Sequence, residues 1–353
     1  GLPWLAGIMA AVFMVIQGGG WLGEKIKTAN LPEPQADVPN IMVIVVDTLR
    51  ADHLSAYGYE RDTSPFMDSL AQEGVRFENA ISPSSWTQPS HASMLTGRYT
   101  YEHLAETHPL DDTYPTIGEA MQSQGYRTGA FSANTLFFTR RQGFGRGFLY
   151  FEDNYRSVSD AFINSSLYGF IFDFYGLRKA LNYEGVPMRK YASDINRSTL
   201  NWIDQDEDKP FLVFMNYFDV HDPYTPPEPY RSKYASVPNP GGLINGFMER
   251  YSPSLTPEQL QSEIDAYDGS ISYVDDQIKD LVGELEQRGL LEDTIVIITS
   301  DHGESLGEHG LLQHSASLYL EEIHVPLIVW GVDNIPAGMV INTPVSLTAL
   351  PAT

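Results

Sequence analysis

The 353-residue sequence contains no cysteine. That absence excludes disulfides, thiolate metal sites and cysteine nucleophiles together, but it leaves the compartment open, because a chain without Cys survives in any. Basic residues are scarce: 22 Lys and Arg stand against 46 Asp and Glu, a formal net charge of −24. Such a field repels phosphate backbones and anionic surfaces, so no nucleic-acid partner is expected. A complete membrane-spanning run is also lacking. Gly1 to Gly23 carry no charge and Leu5 to Ile16 is solidly apolar, yet a span needs about twenty apolar residues and a signal peptide needs a basic leader with a cleavage site. We read residues 1–23 as part of a transmembrane helix cut by the start of the sequence, with a buried or amphipathic helix as the alternative. Residues 24–40, polar and Pro-rich from Thr28 onward, read as a linker.

What the chain does contain is material for a core: 42% hydrophobic and 12% aromatic residues exclude a disordered or low-complexity class. Ile41 to Val46 (IMVIVV) is the pattern of a strand buried on both faces of a parallel sheet. Helical spacing over Thr63 to Glu73 precedes a strand from Val75 to Ile81, and a helix at Thr116 to Ser123 precedes a strand at Tyr126 to Phe131. A helix around Ser193 to Trp202 leads into a strand at Pro210 to Tyr217, and a long helix from Thr256 to about Gln287 leads into Thr294 to Thr299 (TIVIIT). The alternation predicts an α/β fold, a mostly parallel central sheet covered by helices on both faces, with function at the carboxyl ends of its strands. Phe148 to Pro187 and Ala235 to Pro253 read as insertions shaping a pocket, and Val345 to Thr353 as the opening of a helix.

Two such strands deliver acids at their ends: Asp47 after IMVIVV, and Asp301 with His302 after TIVIITS. Each acid alone could cap a helix. Together they offer hard oxygen and nitrogen donors of the kind that hold Zn²⁺, Mn²⁺, Mg²⁺ or Ca²⁺. In Ser84 to Arg98, Pro89 suits the first turn of a helix over Ser90 to Thr96, which puts Thr87 beside an anion-favouring amino terminus. A hydroxyl there can be ionised by a metal and aimed at a phosphoryl or sulfuryl centre, or it can simply cap the helix.

Four motifs lie in order along the chain: Asp47-Thr48-Leu49-Arg50, Thr87-x-Pro89-Ser90 with Thr96-Gly97-Arg98, Ser300-Asp301-His302-Gly303-Glu304 with Gly307-Glu308-His309-Gly310, and Tyr319-x-Glu321-Glu322-x(2)-Val325-Pro326-Leu327. Over about Pro39 to Thr353 this pattern resembles the sulfatase branch of the alkaline phosphatase superfamily. The resemblance implies that the mostly parallel sheet is a mixed one between helices, and that residues 41–353 are a catalytic domain of that kind whose carboxyl-terminal subdomain lies beyond Thr353.

The departures from the family pattern are specific. Sulfatases carry Cys or Ser where this chain has Thr87, and oxidising Thr would give a ketone, so no formylglycine is expected. Thr48 stands for the second acid of the usual pair, His91 for the motif Arg, and the sulfate-gripping Lys is replaced within Ser132-Ala133-Asn134. These changes resemble the Thr-nucleophile cousins, phosphoethanolamine transferases and lipoteichoic acid synthases, which are membrane-anchored. The likeness implies that Asp47, Thr87, Asp301 and His302 bind a metal, that Thr87 is the nucleophile with His221 or His314 protonating the leaving alcohol, and that His91 and Asn134 meet the substrate. It further implies an ester substrate, with a lipid or a glycan as the candidate alcohol, and a catalytic domain outside the cytoplasm. A sulfuric ester hydrolase working without formylglycine, and a non-catalytic lipid-sensing protein, are the alternatives. His309 is expected to brace its turn, His53, His103, His108 and His324 to be structural, and Arg50 and Glu304 to pin their loops.

Overall fold

The computed structural model describes residues 22–153, 189–205, 209–238, 240–244, 255–332 and 334–352. Eight strands form the main sheet: β1 (Asn40–Val46), β2 (Val75–Phe77), β3 (Arg127–Ser132), β4 (Tyr150–Glu152), β5 (Phe211–Tyr217), β6 (Thr294–Thr299), β7 (Leu327–Trp330) and β8 (Met339–Ile341). Their order is β8-β2-β7-β6-β1-β5-β3-β4. β1 lies at the centre, parallel to β5 and β6, while β7 runs antiparallel to both β6 and β2. The α/β reading with a mostly parallel sheet therefore holds.

The central strand shows why. Along β1 the alternating side chains enter two separate cores: Met42, Ile44 and Val46 join one, and Val43 and Val45 the other. A strand buried this way must be apolar at every position, which is what its unbroken run supplies. The first core is covered by α1 (Pro65–Glu73), α4 (Ala192–Ile203) and α5 (Pro257–Gln287); the second by α2 (Thr87–Thr96) and α3 (Ile117–Ser123). Thr256 caps α5 by accepting the Gln259 N–H at 3.3 Å, with Pro257 in the first turn.

Three expectations change. The front of the supposed linker is a helix over residues 22–29, docked on the body. Its Glu24 is buried, accepts the indole N–H of Trp202 and lies 3.9 Å from Arg127 Nε, and that guanidinium covers the Trp202 ring at 3.8 Å. A carboxylate paired in this way tolerates burial, so the polar composition did not mark an exposed tether. Val75 to Ile81 breaks into two strands, and the last residues form a short strand, Val345–Ser346, and a 3₁₀ turn, Leu347–Ala352, with Pro351 inside it. The expected transmembrane helix falls almost wholly outside the described residues, as does most of the Phe148 to Pro187 insertion. No helix among the described residues is long and apolar enough to cross a membrane.

Candidate active site

The carboxyl ends of β1, β3, β5 and β6 carry Asp47, Asn134, Asp219 to His221, and Asp301 with His302 to one edge of the sheet. β1 and β6 are direct neighbours in register, which places Asp47 beside Ser300 and Asp301. Gly303 permits the turn after His302: a Cβ there would stand 2.0 Å from the Glu321 carbonyl oxygen.

Four donors converge. His302 Nε2 lies 3.4 Å from Thr87 Oγ1 and 3.5 Å from both Asp47 Oδ1 and Asp301 Oδ2. His302 Nδ1 donates to the Gly303 carbonyl at 2.9 Å, which leaves the Nε2 lone pair facing the other three. Asp47 Oδ1 and Asp301 Oδ2 are buried and have no hydrogen-bond partner among the described residues. Burial, reinforced by Asp301, pushes the Asp47 carboxyl up to about 6, and burial lifts Asp301 to about 7 against the N–H groups of His302 and Thr48. Two orphaned carboxylate oxygens, an imidazole lone pair and a hydroxyl around one point are a donor set that fits a divalent cation.

Thr87 is the first residue of α2, one turn earlier than the sequence suggested, and it is almost fully buried. It therefore sits at the amino-terminal end of the helix, where unpaired N–H groups favour developing negative charge.

Two further histidines complete the cluster. The His314 ring lies 4.4 Å from that of His302 and 4.9 Å from that of His221, centroid to centroid. His314 Nδ1 is 2.9 Å from Glu304 Oε1, whose other oxygen accepts the Tyr224 hydroxyl at 3.0 Å. His221 Nδ1 contacts the Asp222 carbonyl at 2.8 Å and Asp222 Oδ1 at 3.0 Å. Burial opposes charge on His221, but Asp222, backed by Asp47 and Glu304, outweighs it and pushes the imidazole up to about 10. Gln313 Nε2 donates to Asp222 Oδ2 at 3.1 Å, and the Ser315 N–H to the Ser85 carbonyl at 2.9 Å, tying the His314 loop to the loops bearing His221 and Thr87.

The sequence missed Asp222 as a partner and took Glu304 only as a loop pin; each stands within one or two residues of a predicted site histidine, and that adjacency was the available signal. Two predicted substrate contacts find partners inside the protein instead. Asn134 Nδ2 donates to Asp47 Oδ2 at 3.1 Å. His91 is fully buried, donates Nδ1–H to the Thr87 carbonyl at 2.9 Å, stands 3.4 Å from Asp301 Oδ2, and packs its ring 4.4 Å from Phe138. It is enclosed by apolar rings behind Thr87, and burial pushes its pKa down to about 3. Of the histidines expected to be structural, His53 pairs with Asp268 at 2.7 Å and His103 Nε2 with Ser93 Oγ at 2.9 Å, while His309 stacks on Tyr319 at 3.7 Å.

Residues 39–353 match the sequence profile of the family described as Sulfatase. The chain belongs to the sulfatase family. Among relatives of this sulfatase-family chain, the multifunctional alkaline phosphatase superfamily protein PehA of Trinickia caryophylli is 26% identical over 349 residues, covering 82% of this chain and 68% of the relative. An arylsulfatase of Clostridium perfringens is 25% identical, covering 85% and 70%. The crystal structure of the soluble domain of lipooligosaccharide phosphoethanolamine transferase A from Neisseria meningitidis shares the fold at a TM-score of 0.65 and 18% identity, over 92% of this chain and 90% of that one. The protein is thus a sulfatase-family hydrolase of the alkaline phosphatase superfamily, and the mixed-sheet fold predicted from the motifs is the fold found.

Proposed function

We propose that the protein cleaves phosphate esters, as a phosphodiester hydrolase or a phosphoryl-alcohol transferase, through a covalent intermediate on Thr87. The observation that carries this reading is the convergence of Thr87 Oγ1, at a helix amino terminus, with His302, Asp47 and Asp301. Asp47, Asp301, His302 and Thr87 would hold the cation, with Asn134 fixing the Asp47 carboxylate. A divalent ion in that position supplies Lewis-acid charge neutralisation.

The chain's own groups account for the rest. The Thr87 hydroxyl releases its proton to solvent and its oxygen bonds to phosphorus in line with the leaving alcohol. As the phosphorus–alkoxide bond breaks, the His221 imidazolium, charged through Asp222, donates a proton to the departing oxygen. His314, held by Glu304 through Nδ1 with its ring 4.4 Å from that of His302, takes the proton of the water or acceptor hydroxyl whose oxygen then displaces Thr87 from phosphorus, and the departing Thr87 oxygen takes up a proton from solvent. The helix amino terminus stabilises the charge gathered on phosphoryl oxygens in both halves.

Threonine at position 87 argues for phosphorus over sulfur, because the side chain cannot become the aldehyde on which formylglycine sulfatases depend. The likeness to an arylsulfatase favours a second reading, a sulfate-ester hydrolase with the same nucleophile. The apolar run within residues 1–23 and the resemblance to membrane-anchored Thr-nucleophile enzymes support a catalytic domain outside the cytoplasm, tethered through that segment.

Intact mass spectrometry tests the chemistry. Wild type and Thr87→Ala are exposed briefly to bis-p-nitrophenyl phosphate or p-nitrophenyl sulfate with Mn²⁺ or Zn²⁺ supplied. A phosphoryl-type adduct on wild type alone is expected. A Thr87→Ala variant that turns over either ester as fast as wild type does would rule out the nucleophile.

A further inference from the structure

Asp47 is aimed by the residue after it. Thr48 is fully buried and has φ of 62°, the left-handed region, which a β-branched side chain occupies only under strain. The strained turn serves the two acids together. The Thr48 N–H donates to Asp301 Oδ1 at 3.4 Å, on the side away from the orphaned Oδ2, and its hydroxyl donates to the Asp47 carbonyl at 2.7 Å. A turn of this kind persists only where its surroundings over-determine it.

One side chain does so from a distant element. Tyr267, on the buried face of α5, donates its hydroxyl proton to the Thr48 carbonyl at 2.7 Å and accepts the Arg50 N–H at 3.0 Å. The ring is wedged edge-on between His53 and Tyr224, with centroids at 5.1 and 5.4 Å, so the hydroxyl is delivered by a fixed body. Between these two bonds the Leu49 N–H donates to Ser300 Oγ at 2.9 Å. The Thr48 N–H and carbonyl, the Leu49 N–H and the Arg50 N–H are thereby all held, and two of those grips come from one oxygen.

We propose that Tyr267 is a positioning residue for the cation centre: bridging the Thr48 carbonyl and the Arg50 N–H, its hydroxyl locks Thr48 in the left-handed turn that aims Asp47 and fastens it to Asp301. The inference rests on the reading of Asp47, Asp301, His302 and Thr87 as a cation site, and it names a residue that touches neither the cation nor the substrate. Removing the hydroxyl leaves a buried carbonyl and a buried N–H without partners, so the turn relaxes toward negative φ and carries the Asp47 carboxylate off its aim.

The test is a double-mutant cycle on metal affinity, with no substrate present. Mn²⁺ and Zn²⁺ binding is titrated calorimetrically into wild type, Tyr267→Phe, Thr48→Gly and the double variant, with the melting temperature of each metal-free form recorded alongside. Tyr267→Phe is expected to weaken binding at least tenfold, as for other groups that orient a metal ligand. The double variant is expected within about threefold of Thr48→Gly alone, because glycine holds φ near +60° without a clamp. Tyr267→Phe that melts lower yet binds metal as wild type does overturns the proposal. So does a double variant weaker than Thr48→Gly by the full factor seen between Tyr267→Phe and wild type. Should Tyr267→Phe fail to fold, the comparison of the double variant with Thr48→Gly decides alone. A wild type that takes up no metal overturns the cation centre itself, and the clamp with it.

Discussion

Asp301→Asn should stabilise the metal-free protein and destabilise the metal-bound one. Asp47 and Asp301 are fully buried, and each has an oxygen with no hydrogen-bond partner among the described residues that lies 3.5 Å from His302 Nε2. Their folded-state pKa values, about 6 and about 7, stand above the ordinary 3.8. A folded-state pKa that is raised means the folded form holds protons the unfolded form has lost, so metal-free stability falls as pH rises from about 4 to 7 and stays low above that. For Asp301 the rise from 3.8 to about 7 corresponds to roughly 4 kcal/mol at pH 8. Asparagine keeps Oδ1 for the His302 and Thr48 N–H groups and removes the charge, at a cost of about 1–3 kcal/mol for an imperfectly partnered amide. The net gain is about 1–3 kcal/mol, or roughly 2–6 °C for a chain of this size. Metal reverses the order: wild type gains about 2.7 kcal/mol at a hundredfold excess over Kd, and the variant forfeits most of it. Thermal denaturation at pH 8, in chelator and then in Zn²⁺ or Mn²⁺, reads both. An Asp301→Asn variant that melts below wild type in chelator, or that gains as much from metal, refutes the reasoning.

Further outcomes follow from the same geometry. Metal affinity should fall as pH drops through 7 and then 6, because protons on Asp301 and Asp47 must leave before the cation binds; calorimetry in buffers of different ionisation enthalpy would show proton release growing over that window. Glu304→Gln should lower kcat about 10- to 100-fold and shift its pH profile while metal stoichiometry stays at the wild-type value, since the carboxylate orients His314 and contacts none of the proposed cation ligands. Gly303→Ala should yield a protein that no longer binds metal or does not fold, detectable by metal content and circular dichroism, because its Cβ would overlap the Glu321 carbonyl.

Much of this site was written in local patterns. An unbroken apolar run of six residues identified β1, and Ile295 to Ile298 between two threonines identified β6; the general behaviour of parallel sheets put Asp47 and Asp301 at their ends, where the register of the two strands brings them together. Thr87 was legible because Pro89 and Gly97 bracket a helix. What stayed hidden depends on long-range packing. Nothing in the Pro-rich opening announces that Glu24 finds Trp202, 178 positions away, and so the residues around it were read as a tether. His91 was assigned to the substrate from its place in a motif, yet the helix turns that side chain inward onto Phe138 and Phe214, because Thr87 and His91 are four residues apart and the ring can reach the carbonyl one turn back.

The left-handed Thr48 is the most instructive case. A threonine after a buried strand gives no hint of positive φ, since the feature that enforces it is a tyrosine 219 positions later on another element. A reading of sequence can therefore place the ligands of such a centre, whose positions follow from strand ends, but it cannot find what aims them. The aim is fixed by hydrogen bonds between segments that meet only in the folded chain, and these are also the contacts whose loss should change metal affinity without touching a ligand.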